Sequence, residues 1–537
     1  MVRHGIARVK TGCGTCRMRR VKCDEQRPFC RRCLSGHREC KGYGIWDNGR
    51  HPDGPISQSV GLACLNNSGA MCSLSTEDFR IFEWFMLSRP QGVFPLSFWE
   101  KLVPQACHDE PAILHSVLAM GSVHRRLCIS KASGRDDGEA DKLALATLQY
   151  YNMAINSLYK LQADGSQLGK SRGPAQVTLI ACLLFVVIEY LQKRPAQGLL
   201  HLRHGLQIMR SHGFDSKSQA TRSPVDDELI EAFGRLNTQA QIFSSFTTNT
   251  QPPLKSCQQH YYNVPLKSVT DARQRLDLLV SDACHLRHWG RIAESSTDIS
   301  LSFQNLLLQQ KLQRHLSLWL KTYRAWQAMQ LLPSFNEQVA QHLLFIYYTM
   351  ASIITATALY YGDESVFDHY KLQFASITTR SRDILQMFQP MRSNDATLEK
   401  TCTPHFTFTS DLGLVPALYF TVLKCRDSQV RRDALSILAT ETRQEGAWEG
   451  SRLALIAAEV VRLEKGPHLE YSEIPSGADV CERMVSNVPF PQSGRICDVV
   501  FELPSGSEGE LILTCKRRSA EGNWIITSRR YNGAHWY

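Results

Sequence analysis

Six cysteines crowd the start of the chain, at Cys13, Cys16, Cys23, Cys30, Cys33 and Cys40. Thiols at that density are disulfide partners or metal ligands before they are anything else. The spacing C-x2-C-x6-C occurs twice, and adding 17 to the first three positions gives the second three. A segment this short and polar has no room for an apolar core, so it needs a staple of one kind or the other. The N-terminus, Met-Val-Arg-His-Gly-Ile-Ala-Arg-Val-Lys, lacks the apolar stretch of a secretory signal. A reducing, intracellular setting is therefore expected, and metal is favoured over disulfide.

Structural zinc takes four ligands, commonly thiolates. Two separate zincs would need eight, and six cysteines supply six, so the count closes when two thiolates bridge both metals. The internal repeat requires the bridging pair to be related by the 17-residue shift. A single zinc on Cys13, Cys16, Cys30 and Cys33 is the simpler alternative, but it leaves Cys23 and Cys40 idle at matching positions. A redox Cys-x-x-Cys would need a thioredoxin-like strand and helix, which the surrounding residues do not offer. His37 lies inside the cluster and reads as a solvated loop residue.

Charge falls on the same stretch. Residues 1–50 hold 13 Lys and Arg against 4 Asp and Glu, a net of +9, while the whole chain of 537 residues carries +10. Attraction to a polyanion is thus a property of the N-terminal segment. Between Cys16 and Cys23 runs Arg17-Met18-Arg19-Arg20-Val21-Lys22, cationic at four of six positions and tied at both ends to cysteines. Six thiolates and two Zn2+ sum to −2, which the surrounding cations outweigh. A nuclear import signal is the plainer use of such a run, but the clamp between metal ligands favours the reading of DNA.

The stretch Cys13-Gly-Thr-Cys16-Arg-Met-Arg-Arg-Val-Lys-Cys23-Asp-Glu-Gln-Arg-Pro-Phe-Cys30-Arg-Arg-Cys33-Leu-Ser-Gly-His-Arg-Glu-Cys40 resembles the fungal Zn2Cys6 binuclear cluster family of transcription factors, with Pro28 where that family has a loop proline. The resemblance implies two Zn2+ ions per chain and Cys13 and Cys30 as the bridging ligands. It implies a helix directed into the major groove of double-stranded DNA at a CGG-like triplet, with Arg19 and Arg20 in the place of the base-reading residues. Arginine suits that task, because it can bond guanine O6 and N7 together. Arg17 and Lys22, with Arg31 and Arg32 in the second half, are expected at phosphates, which position without specifying. A nuclear regulator of RNA polymerase II genes is the function implied.

The elements around the cluster divide the chain into a cluster domain at 1–45, a Gly- and Pro-rich linker at 46–77, a helical regulatory domain at 78–470 and a β-rich segment at 471–537. No apolar heptad follows the cluster, so pairing by a coiled coil is not expected; binding as a monomer and as a homodimer through the helical domain both stay open, and co-regulators are the other partners to expect. Apolar residues recur at helical spacing in Leu148, Tyr151, Ile155 and Leu158, in Leu199, Leu202, Leu206 and Met209, and in Leu453, Ile456, Val460 and Leu463. These stripes read as core faces, and Gly466-Pro467 supplies a stop after the last. Phe98-Trp99 through Pro111 to Gly121, Leu179 to Phe185 and Leu200 to Leu206 resemble the large helical domain of one branch of the same family. That implies regulation without catalysis. The longest apolar run, Leu179 to Ile188, is half the length of a membrane span and predicts a buried helix.

No nucleophile elbow, P-loop or H-E-x-x-H occurs, and no enzyme activity is expected. His108-Asp109-Glu110 before Pro111 reads as a helix start. His201 and His204 share a helical face at a metal spacing, without an acidic third ligand nearby. The twelve cysteines from Cys64 to Cys515 read as ordinary thiols, and Asn66-Asn67-Ser68 as an idle glycosylation triplet. Val499–Leu503, Glu510–Thr514 and Trp524–Ser528, with turns between them, predict a small β-meander. The competing reading is a ligand-sensing or enzymatic helical protein whose zinc module is only an anchor. A cavity with converging polar groups in the helical domain would favour it.

Overall fold

The computed structural model describes residues 15–16, 19, 21–24 and 30–36 near the N-terminus. It then describes 74–90, 92–94, 96–132, 137–163, 172–214, 223–244, 264–294, 299–330, 332–393, 408–440, 444–465, 494–502 and 510–532. The chain divides into two units, Met1–Asn67 and Ser68–Tyr537. Cys13, Arg17, Arg20, His37 and Cys40 lie outside the described residues.

The large unit is mainly helical and builds two apolar cores. The first core gathers seven helices: α1 (Thr76–Ser88), α2 (Val103–Asp109), α3 (Pro111–Ala132), α4 (Asp137–Ala163), α5 (Pro174–Leu191), α6 (Pro195–Ser211) and α7 (Pro224–Ser244). Their starts follow local rules. Ser75 and Asp78 form a reciprocal capping box at α1. Pro111, Pro174, Pro195 and Pro224 open their helices, where the missing N–H costs nothing. Glu110, buried just before α3, accepts at its carbonyl from Ile113 and Leu114, so His108-Asp109-Glu110 is the helix start expected.

Helix α5 carries the long apolar run. Leu179, Ile180, Leu183, Leu184, Val186, Val187 and Ile188 are all fully buried. Both α5 and Phe335–Thr357 are long and apolar enough to cross a membrane, yet most of each is buried inside the protein. Close packing sets one position in α6: a Cβ on Gly205 would lie 2.4 Å from the Phe233 ring of α7.

The second core comprises α8 (Val269–Glu294), α9 (Ile299–Ala328), α10 (Phe335–Thr357), α11 (Lys371–Ser393), α12 (Val415–Lys424), α13 (Ser428–Thr440) and α14 (Gly450–Lys465), with a 3-10 turn at Glu364–Tyr370. Trp319 stacks on Tyr323 and Tyr348 at its centre and donates from Nε1 to Ala272 O (3.0 Å). Three two-residue strands that the sequence did not suggest, β1 (Phe408–Thr409), β2 (Gln444–Glu445) and β3 (Trp448–Glu449), form a small mixed sheet. From β2, the buried Glu445 carboxylate accepts from the N–H groups of Gly413, Leu414 and Val415 and so caps α12.

The cores meet at a polar seam. Asp411 accepts from Arg235 of α7 (3.1 Å) and from Arg273 of α8 (2.9 Å), and both arginines are buried. Trp99 Nε1 donates to Ser410 Oγ (2.9 Å) and Gln444 Nε2 to Tyr190 O (2.7 Å). Burial pushes Asp277 upward, although the neighbouring Arg273 and Arg235 pull the other way.

The C-terminal meander is present, with longer strands than expected: β4 (Ile496–Glu502), β5 (Glu510–Arg518) and β6 (Trp524–Asn532), antiparallel in that order. Leu511, Leu513, Cys515, Val499 and Phe501 join the second core. A buried ion cluster fastens β4 to the helices. Glu464 accepts from Arg426 (2.7 Å), Arg431 (2.6 Å) and Ile496 N (2.8 Å), while Lys424 donates to Glu364 and to Cys497 O (2.7 Å each).

Two of the three apolar stripes face the core as expected, with Leu199 and Leu463 half-buried at their edges. The first is corrected at one position. Leu148 is 59% exposed, and α4 instead buries Leu143, Thr147 and Ala154, with Tyr151, Ile155 and Leu158 half-buried beside them. The buried track runs through Thr147, which lies one helical step of about 100° from Leu148.

Candidate metal centre and nucleic-acid interface

The N-terminal unit buries cysteines where other domains bury leucine. Cys16, Cys30 and Cys33 are fully buried, with Val21 and Cys23 packed against them. Thr15 and Cys16 belong to a helical turn, in which Arg19 N donates to Thr15 O (3.2 Å). Val21 N then reaches back to Cys16 O (3.0 Å) and closes that turn. The second half has its own turn at Arg31–Leu34, capped by Cys30, whose Sγ accepts from Cys33 N (3.3 Å). The two cysteine halves thus carry similar local structure, as their sequence repeat implies.

The sulfurs converge. Cys16 Sγ lies 3.6 Å from Cys30 Sγ and 3.8 Å from Cys33 Sγ. The ligand atoms of Cys16, Cys23 and Cys30 all lie within 4.8 Å of one another, and no other such group of metal-ligand side chains occurs among the described residues. Sulfurs at about 2.3 Å from a tetrahedral zinc are about 3.8 Å apart. A disulfide would need about 2.05 Å. The spacing therefore fits thiolates around metal. Zinc bound there would supply the folding energy that this small core cannot provide.

Asp24 was not singled out by its type, yet it joins the two halves. Its Oδ2 accepts from Arg31 N (2.8 Å), at the start of the second helical turn. Desolvation pulls its carboxyl upward, but hydrogen bonds from its own backbone and from Arg31 outweigh that and hold it below 3.8. Arg32 Nη1 donates to Lys22 O (3.0 Å), a second tie across the halves. Arg19, Lys22, Arg31 and Arg32 are all exposed. The unit thus combines a buried sulfur centre with a cationic surface, the footprint of a nucleic-acid binder.

Among the described residues, the large unit shows no comparable group of metal-ligand side chains. His201 Nε2 lies 3.1 Å from Tyr151 Oη and its ring packs on Phe185, while His204 is exposed. A cavity of about 480 Å3 opens at the seam, lined in part by Arg89, Phe94, Trp99, Arg235, Glu337 and Asp411. Four of its charged groups are engaged by the fold. Arg235 pairs with Glu231 (2.5 Å) and Asp411, Arg89 donates to Met86 O (3.0 Å), and Glu337 closes the Ser334 capping box. Those bonds from Ser334 hold the Glu337 carboxyl below its ordinary value.

Comparison with known proteins agrees with this division. A model of the fungal Zn(2)-Cys(6) binuclear cluster domain matches residues 11–47, and one of the fungal-specific transcription factor domain matches residues 80–381. The aspercryptin biosynthesis cluster-specific transcription regulator atnN of Emericella nidulans is 25% identical over 576 residues, covering 88% of this chain and 91% of that protein. Arginine metabolism regulation protein II of Saccharomyces cerevisiae is 40% identical over 73 residues, 12% of this chain and 8% of that one. The transcriptional regulatory protein moc3 of Schizosaccharomyces pombe is 64% identical over 36 residues, 7% of either chain. No solved structure matches. The cluster domain is one that holds two zinc ions, which bears out the metal and the count expected from the six cysteines. With its larger match spanning more than half of the residues, the chain belongs to the fungal-specific transcription factor domain family and carries a two-zinc, six-cysteine DNA-binding module ahead of that domain.

Proposed function

We propose that this protein is a nuclear, zinc-dependent, sequence-specific regulator of RNA polymerase II transcription that reads CGG-like triplets in the major groove. Cys13, Cys16, Cys23, Cys30, Cys33 and Cys40 hold the two zincs, with Cys13 and Cys30 bridging. Arg19 and Arg20 read base edges, and Arg17, Lys22, Arg31 and Arg32 meet phosphates. Residues 1–45 form the DNA-binding domain, 46–77 a linker, 78–470 the helical regulatory domain and 471–537 a β-rich segment, and the chain carries no catalysis. Partners beyond DNA are co-regulators and a second copy met through the helical unit.

The observation that carries this reading is the packing of Cys16, Cys30 and Cys33 at 3.6–3.8 Å beside exposed Arg19, Lys22, Arg31 and Arg32. The cavity at the seam gives the sensor alternative little support, because Arg235 and Asp411 in its wall pair with each other and Arg89 and Glu337 are bonded to their own helix ends. Selection from random duplex oligonucleotides with the zinc-loaded chain tests the proposal. An enriched CGG-like triplet is expected, and the spacing of paired triplets reports whether one copy or two bind. Recovery of unenriched sequence would end the reading.

A further inference from the structure

The last strand of the C-terminal sheet is an edge. In the order β4-β5-β6, β6 has β5 on one side and, among the described residues, no strand on the other. It runs nine residues, Trp524–Asn532, without proline. Natural edges of that length are usually shortened, broken or covered, because their outward N–H and C=O groups recruit another strand. Here the side chains are open too. Ile525 is 38% and Ile526 65% exposed, and Ser528, Arg529 and Arg530 are exposed.

Charge on this ribbon is one-sided. Strands β5 and β6 carry Lys516, Arg517, Arg518, Arg529 and Arg530 against Glu510 alone. Lys516 lies over the Trp524 ring (4.0 Å) and so belongs to the fold. Arg530 meets Glu510 only across 3.6 Å at the surface, a weak pairing. The outer strand is therefore apolar at its start and cationic toward its end.

We propose that β6 is a docking edge for an extended acidic segment of a partner protein, which adds antiparallel as a fourth strand. Directly opposed residues in an antiparallel pair share a face, and opposite charges there attract. A partner strand meeting Arg530, Arg529, Ser528, Thr527, Ile526 and Ile525 in turn then reads acid, acid, any, any, apolar, apolar. Backbone bonds supply affinity, and this pattern supplies selectivity. The other occupants fit less well. DNA phosphates would use the two arginines but neither the backbone edge nor the isoleucines. A second copy paired about Ser528 would set Arg529 against Thr527 and Arg530 against Ile526, which neutralises neither charge.

The test measures fluorescence anisotropy of a labelled Ser-Asp-Glu-Ser-Thr-Val-Ile-Ser peptide with the full, zinc-loaded chain. Saturable binding is expected, weakened about tenfold or more by Arg529→Glu with Arg530→Glu. A peptide with both acids replaced by Lys should bind that variant and not the wild type. Ile526→Asp, at an exposed position, should also weaken binding, and unchanged melting would show that either variant folds. Two peptides N-methylated at alternate residues should split, one losing binding and the other keeping it, because only alternate amides face β6. Equal binding of both, or indifference to the double reversal, overturns the proposal. So does loss of random duplex binding in the double variant without peptide binding by the wild type, which assigns the surface to DNA. A wild-type dimer in light scattering that the double variant dissolves, again without peptide binding, assigns it to a second copy.

Discussion

Arginine does opposite work in the two units. In the N-terminal unit Arg19, Arg31 and Arg32 lie exposed around a sulfur centre, within a stretch of net charge +9. In the large unit Arg235, Arg273, Arg426 and Arg431 are turned inward onto Asp411, Glu231, Asp277, Glu364 and Glu464. The remaining 487 residues carry only +1, so outside the N-terminal stretch cations and anions nearly cancel in number. A unit held by metal needs little apolar interior and can present its cations. A unit built on two apolar cores can take charges inside, provided each finds a partner. Removing the agent that holds one unit should leave the other standing.

The largest expected effect tests that independence. Chelating zinc, or Cys30→Ser, should unfold the N-terminal unit and abolish specific DNA binding. Calorimetry should still show the melting of the helical unit, and metal analysis should give two zincs per wild-type chain; a single shared transition lost on chelation would break the comparison. Next comes Glu464→Gln, which removes the buried charge that Arg426 and Arg431 share and should cost about 3–5 kcal/mol of the helical unit's stability. Burial raises the Glu464 carboxyl, but the two arginines outweigh it and hold it below 4.5. Its folded pKa is depressed, so its contribution is complete above the unfolded value and is lost as pH falls through the folded one. Melting temperature should therefore drop on acidification below about pH 4.5, and less steeply in Glu464→Gln.

Leu184→Ala, at a fully buried position of α5, should cost about 2–5 kcal/mol in the same melting transition while zinc content stays at two. Arg20→Ala should weaken a selected site by about 1–3 kcal/mol and random DNA less, as gel-shift titrations would show. The smallest effect belongs to Lys22→Ala, which should lower the salt dependence of binding by about one ion for all sequences alike.

The cluster was legible because its information is local: six cysteines, a repeat and a run of cations within forty residues. The meander was legible for the same reason, since Glu510–Asn532 folds as a hairpin of neighbouring strands with a turn at Gly522. The seam was not. Asp411 meets Arg235 and Arg273 from 176 and 138 residues away, and nothing in their neighbourhoods marks them as partners. Leu148 shows the limit of periodicity. In α4 the buried track runs through Leu143, Thr147 and Ala154 and leaves Leu148 out, so the packed face includes a polar residue that a search for apolar spacing passes over. Arg32 was expected at a phosphate, and its bond to Lys22 O also ties the two cysteine halves together.

The ion cluster beneath β4 has a consequence for how the protein is made. Glu464 and Lys424 draw two of their partners, Ile496 N and Cys497 O, from a strand that leaves the ribosome after all the helices. Until it arrives, these buried charges wait with incomplete shells. A nonsense allele that stops translation before Ile496 would therefore look, to the cell's quality control, less like a protein missing its tail than like one whose interior never closed. The whole helical unit would be cleared with it.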